Sequence, residues 1–303
     1  MKILQIICFL IFFSSSLAYS QKLSEPTDLS QGEINSTYQI IKDLPYGQDT
    51  AQVMDVYLSQ KAKSFGNRNY TIVFLHGGAY YLSDKTAEER YIEPYLKKGL
   101  NVINLNYRLK RGIPLATSDL THALNFLKAN KSEYDLDLQT IILTGFSAGA
   151  QIATNVGLGQ NNPSFPDQLN DGIGIQGIIN FSGPVDDLDI IEKIFLNFDQ
   201  EIARKAGEAL FPSEGYAKKE EVAVYEPITY FDQEDPPIFL WHGGLDDQVP
   251  PNTFERFVQK LRNSKDFQLY LPEGKHSPSQ EELEAAYLQI FEFLDDLKNE
   301  QLQ

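Results

Sequence analysis

The stretch Ile142–Ala153, ILTGFSAGAQIA, sets a serine between two glycines where an apolar, strand-like run gives way to a helix-like one. Gly145-Phe146-Ser147-Ala148-Gly149 is a G-x-S-x-G pattern. A sharp strand-to-helix turn holds its middle residue in strained backbone angles, and flanking glycines have no Cβ to obstruct closure. The turn pushes the serine oxygen into the open at a helix N-terminus, which favours negative charge. The alternative is a glycine-rich helix start whose serine only caps. The pattern alone is weak, but a strand before it and a helix after it are the context it needs. Ser147 is therefore the candidate nucleophile.

Outward from this point the chain alternates. Apolar, β-branched runs at 71–76, 101–107, 140–145, 174–183, 237–243 and 267–274 read as buried strands. Helical patterns at 87–99, 119–130, 147–157, 252–264 and 279–298 lie between and after them. Such alternation predicts an α/β fold: a mostly parallel central sheet with helices on both faces. The alternating run VMDVYLS (53–59) predicts antiparallel strands at one edge. Residues 186–225 break the rhythm. Ile190, Ile191, Ile194, Phe195, Phe198 and Ile202 recur there at helical spacing, which predicts a small helical insertion that packs on the sheet or forms a lid above it.

The N-terminal residues stand apart from that fold. Met1-Lys2, an apolar run from Ile3 to Phe13, and small residues through Ser20 predict a signal peptide over 1–20, hence a secreted or periplasmic protein with no membrane span after cleavage. Residues 21–37 read as a loose lead-in, and 38–303 as a single catalytic domain. The chain's one cysteine, Cys8, lies in the leader, so its loss excludes disulfides, cysteine catalysis and thiolate metal sites. A net charge of −16 repels nucleic acid and anionic membranes.

In an open α/β sheet, ligands sit beyond the carboxyl ends of the strands. Four such ends carry polar groups. Besides the Ser147 turn, His76-Gly77-Gly78-Ala79-Tyr80 follows one strand, and its small residues let backbone N–H groups face a developing oxyanion. Ala148 N–H, next to the nucleophile, is the expected partner of those donors. His242 to Pro250 follows another strand and offers Asp246 or Asp247 to orient a histidine. Gly274-Lys275-His276-Ser277 closes the set. Of four histidines, His76 opens the glycine turn, His122 sits within a helical pattern, and His242 ends a strand as a brace. His276 is left as the base.

The segments MDVYL, HGGAYY, NYRL, GFSAGA, SGPVDDL, DPPIFLWHGGLDDQVP and GKHS resemble the α/β-hydrolase fold, within it the HGG-type carboxylesterases and the acetyl- and feruloyl-esterase-like enzymes. The resemblance runs from about residue 50 to 280. It implies a serine esterase with Ser147, Asp246 and His276 as catalytic residues, Asp247 being the second choice of acid. It further implies an oxyanion hole from Gly78, Ala79 and Ala148, with alanine at a position where many relatives have glycine. Tyr80, Tyr81 and the 186–225 insertion are expected to shape the substrate pocket. No metal or cofactor is needed, and the partner is a small-molecule or polysaccharide ester. The same residues would also serve an amidase or formamidase, or survive in a non-catalytic binding protein.

Overall fold

The computed structural model describes residues 30–60, 70–134, 136–197, 199–210, 223–261, 267–271 and 273–300. The expected leader lies outside them. Eight strands form one sheet in the order β1-β2-β4-β3-β5-β6-β7-β8. They are β1 (Tyr38–Pro45), β2 (Val53–Ser59), β3 (Thr71–Leu75), β4 (Asn101–Leu105), β5 (Ile141–Phe146), β6 (Ile175–Phe181), β7 (Ile238–Gly243) and β8 (Phe267–Leu271). β2 runs antiparallel to both β1 and β4, and the strands from β4 to β8 are parallel. The predicted parallel sheet and its antiparallel edge are both present.

The central strands are buried on both faces, which is why they read as mainly apolar runs. On β3, Ile72 and Phe74 pack into one core with Tyr91, Tyr95 and Tyr287, while Val73 and Leu75 pack into the opposite core with Leu120 and Ile152. This period of two is the pleat of the strand. Helices α1 (Gln31–Thr37), α2 (Glu93–Lys97) and α10 (Gln280–Glu300) contribute to the first core. Helices α3 (Gly112–Ala129), the short α4 (Lys131–Tyr134) and α5 (Ala148–Gly159) contribute to the second. No described helix is long and apolar enough to cross a membrane.

Two expectations are corrected. The lead-in is not loose throughout, because residues 31–37 form α1. Ser30 Oγ accepts the Glu33 N–H and the Glu33 carboxylate accepts the Ser30 N–H at 2.9 Å, a capping box that starts the helix. Ile34 then buries its side chain in the core beside α2. The predicted 87–99 helix is broken into a 3-10 turn, Glu89–Tyr91, and α2. Pro94 has no N–H to carry the ladder across that junction. Gly99, at φ +78°, ends the segment as a glycine stop.

The 186–225 insertion supplies α6 (Leu188–Leu196) and α7 (Glu201–Leu210). Ile191 and Phe195 of the predicted stripe are buried. Phe198 and the side chain of Ile190 lie outside the described residues. A 3-10 turn (Ala223–Tyr225), α8 (Pro227–Tyr230) and α9 (Glu255–Leu261) lead on to the last strands.

Candidate active site

The four polar strand ends meet at the carboxyl edge of β3, β5, β7 and β8. Ser147 sits in the turn from β5 to α5 with φ +52° and ψ −120°, the strained conformation expected at a nucleophile turn. Its N–H donates to Phe181 O on β6 at 2.7 Å. The flanking glycines are required by backbone contact. A Cβ on Gly145 would lie 2.5 Å from Gly149 C, and one on Gly149 would lie 2.2 Å from Leu75 O and 2.4 Å from His76 O. Gly149→Ala must therefore push α5 off β3. We expect a loss of about 3 kcal/mol of stability, read by urea unfolding.

His276 joins Ser147 to Asp246. Asp246 Oδ2 is a pure acceptor, so His276 donates its Nδ1–H to it, at 2.8 Å. That leaves Nε2 to accept the Ser147 hydroxyl at 3.0 Å. Asp246 is buried, whereas Asp247 is exposed and turned to solvent. The loop wraps Asp246 closely: Gln248 and Val249 both donate N–H groups to Oδ1 at 2.8 Å. His242 Nε2 lies 2.6 Å from Val249 O and 3.3 Å from Asp246 Oδ2, so it carries the proton and ties the acid to its own loop. Burial works to raise the Asp246 pKa, but the hydrogen bonds from His242 and His276 outweigh it and hold the carboxyl at about 2. Ser182 Oγ, in the turn after β6, donates to His276 O at 2.8 Å and fixes the base loop from below. His122 lies exposed on α3, away from this set.

The glycine turn after β3 is held in left-handed backbone. Gly78 has φ +108°, Ala79 +58° and Tyr80 +59°. A Cβ on Gly78 would fall 2.0 Å from Leu82 O. Tyr81 and Leu82 both donate their N–H groups to Gly78 O at 2.9 Å, which closes the turn. Ala79 thus adopts the angles of a glycine, with strain of about 1 kcal/mol or more. Gly77 N–H is taken by Glu88 Oε2 at 3.0 Å. The N–H groups of Gly78, Ala79 and Ala148 donate to no acceptor among the described residues.

His76 is buried and stacked on Tyr107 at 4.5 Å, and its Nδ1 lies 2.6 Å from Gly77 O. Burial lowers its pKa to about 4 despite that hydrogen bond. Between its ordinary 6.5 and 4, an unfolded His76 takes up a proton that the folded residue refuses. Stability must therefore fall as pH drops through this window, by about 3 kcal/mol. Below pH 4 Asp246 adds a second loss of about 2 kcal/mol as its carboxyl is protonated. Urea unfolding at pH 7 and pH 4 checks the first loss, which should shrink in His76→Asn.

Ser147 and His276 open on a cavity of about 180 Å³. Gly78, Ala79 and Ala148 line it, as do Phe195 from α6 and Ile202, Ala203 and Ala206 from α7. The insertion is thus a wall of the cavity. Tyr80 lines it too, with its hydroxyl turned to buried Gln151 Oε1. Tyr81 is corrected: it does not line the cavity. The tight turn sends successive side chains to different sides, and the Tyr81 ring lies between Lys110 Nζ at 4.4 Å and Lys205 Nζ at 5.3 Å. A larger groove of about 500 Å³ lies at the opposite, amino ends of β6 and β7, and its lining residues include no serine, cysteine or histidine. Sequence reasoning missed Glu88, a carboxylate in the cavity wall.

A strand-turn-helix serine facing a histidine and a buried aspartate, on this sheet, defines an α/β-hydrolase. The chain belongs to the BD-FAE family, which its residues 54–261 match. Among curated relatives it is similar to the probable carboxylic ester hydrolase LipM of Mycobacterium tuberculosis, with 26% identity over 193 residues, covering 61% of this chain and 43% of LipM. It is also similar to endo-1,4-beta-xylanase B of Butyrivibrio fibrisolvens, with 23% identity, covering 68% of this chain and 32% of that one. The chain spans about half the length of the first curated relatives it matches: 43%, 52% and 54%. Of solved structures, esterase B from Lactobacillus rhamnosis superposes with a TM-score of 0.70 at 16% identity, covering 93% and 91% of the two chains. A truncated carbohydrate esterase from gut microbiota gives 0.69 at 18% identity, covering 90% and 99%. At these identities the structural likeness speaks for the fold.

Proposed function

We propose that this chain is a serine carboxylic ester hydrolase that removes short acyl groups from hydroxylated alcohols, including acetyl esters of polysaccharides. One observation carries the reading: His276 lies within hydrogen-bond distance of both Ser147 Oγ and Asp246 Oδ2, at the mouth of a cavity edged by unengaged backbone N–H groups. In the reaction Ser147 Oγ attacks the ester carbonyl while His276 Nε2 takes its proton. Asp246 keeps Nδ1 protonated and stabilises the imidazolium that forms. The N–H groups of Gly78, Ala79 and Ala148 hold the oxyanion. His276 then hands its proton to the departing alcohol, and a water molecule repeats the cycle on the acyl-enzyme.

The acyl size follows from the cavity. Its volume is below the roughly 300–1,000 Å³ of pockets that enclose drug-sized ligands, and α6 and α7 close it with apolar side chains. Export fits a polymeric ester and is supported by the apolar run and small residues of 1–20. Among p-nitrophenyl esters from acetate to octanoate, turnover should be highest at the short end, and acetylated xylan should release acetate. A folded chain that hydrolyses none of these esters defeats the reading.

A further inference from the structure

We propose that Glu88 reads the alcohol half of the ester, its free carboxylate oxygen accepting a hydrogen bond from a hydroxyl group on the leaving alcohol. This deepens the esterase reading and rests on it. Glu88 lies in the wall of the same cavity as Ser147, His276 and Ser277. One of its oxygens is anchored, since Oε2 accepts the Gly77 N–H at 3.0 Å. The other, Oε1, accepts no hydrogen bond among the described residues. The carboxylate is therefore held in place with one face open.

Its side of the cavity is set by the base loop: Arg90, two residues on from Glu88, donates to Pro278 O at 2.9 Å, two residues past His276, and His276 is the group that delivers the proton to the departing alcohol oxygen. Much of the remaining wall is apolar: Ala79, Leu82, Phe146, Phe195 and Ile202 suit an acyl chain. A half-buried carboxylate in such a wall is costly unless it is paired, and burial raises the Glu88 pKa. Arg90 is the nearby cation, but its guanidinium donates to Pro278 O at 2.9 Å and leans on the Tyr91 ring. Pinning Gly77 needs only a neutral acceptor, so that role does not explain a charge. A neutral polyhydroxylic alcohol supplies the missing donor, and an anionic alcohol is repelled.

The test compares three substrates on the intact chain: a monoacetylated methyl xyloside, its deoxy analogue lacking the neighbouring hydroxyl, and p-nitrophenyl acetate. The parent chain should prefer the hydroxylated over the deoxy ester by about tenfold or more in kcat/KM, the worth of one hydrogen bond to a charged group. In Glu88→Gln the amide oxygen can keep the Gly77 contact while the NH₂ faces the cavity, a donor where an acceptor stood. That preference should then fall about tenfold, with the loss in KM rather than kcat. Equal losses on all three substrates would assign Glu88 a structural role and overturn the proposal. So would an unchanged preference, or a parent chain indifferent to the hydroxyl, a result that does not depend on the variant folding. A parent chain inert toward p-nitrophenyl acetate and toward both xyloside esters counts against the esterase reading itself. One that cleaves them without hydroxyl preference refutes only the role of Glu88.

Discussion

Ser147→Ala should lower kcat on short p-nitrophenyl esters by about a million-fold. The size follows from the arrangement. Ser147 is the proposed nucleophile: His276 Nε2 lies 3.0 Å from its oxygen, and in the proposed mechanism no covalent intermediate forms without it. What survives is the contribution of the backbone donors and of binding, about a thousand-fold over water. The substitution removes one oxygen from a turn whose shape is set by Gly145 and Gly149, so the chain should fold as before. Circular dichroism and steady-state kinetics on one preparation make the measurement. An alanine variant within tenfold of the parent would mean that the chemistry runs elsewhere.

Asp246→Asn should lower kcat by about ten-thousand-fold, and Asp247→Asn should leave it close to the parent value. The first change keeps the size of the side chain but lets an amide face His276 Nδ1. An NH₂ group there turns the imidazole to the wrong tautomer, with its proton on Nε2 where the serine proton must go. The second change touches an exposed side chain. A crippled Asp247→Asn beside an active Asp246→Asn would reverse the assignment. The two aspartates are neighbours in sequence, so only the fold separates them: the 243–249 turn buries one and exposes the other.

The sheet was legible because its central parallel strands are buried on both faces and are mostly apolar, with isolated polar residues such as Asn104, Thr144 and Asn180 that leave the runs recognisable. The Ser147 turn was legible because its constraints are local: two glycines, a strand and a helix within a dozen residues. β1 was not, since most of its residues are exposed or half-buried and give no alternating pattern. The short α1 was hidden for a related reason, having one apolar anchor, Ile34, although Ser30 and Glu33 stand at capping-box spacing. Glu88 could not be found from sequence. It belongs to no periodic pattern, and its partner Gly77 lies on the far side of a turn whose path depends on left-handed angles at Ala79 and Tyr80. Tyr81 failed as a pocket residue through the same turn, since adjacency in HGGAYY does not put two rings on one side.

The contact of Gly149 with the carbonyls of Leu75 and His76 is backbone against backbone. The distance from nucleophile to oxyanion turn is thus registered without a side chain that could be exchanged. One wall of the cavity, by contrast, comes from α6 and α7, outside the sheet. Substitution of its cavity-facing residues, Phe195, Ile202, Ala203 and Ala206, changes the wall without touching the backbone contacts that register the turns. Fixed backbone contacts thus hold the turns together, while the shape of the cavity is left to side chains on two helices.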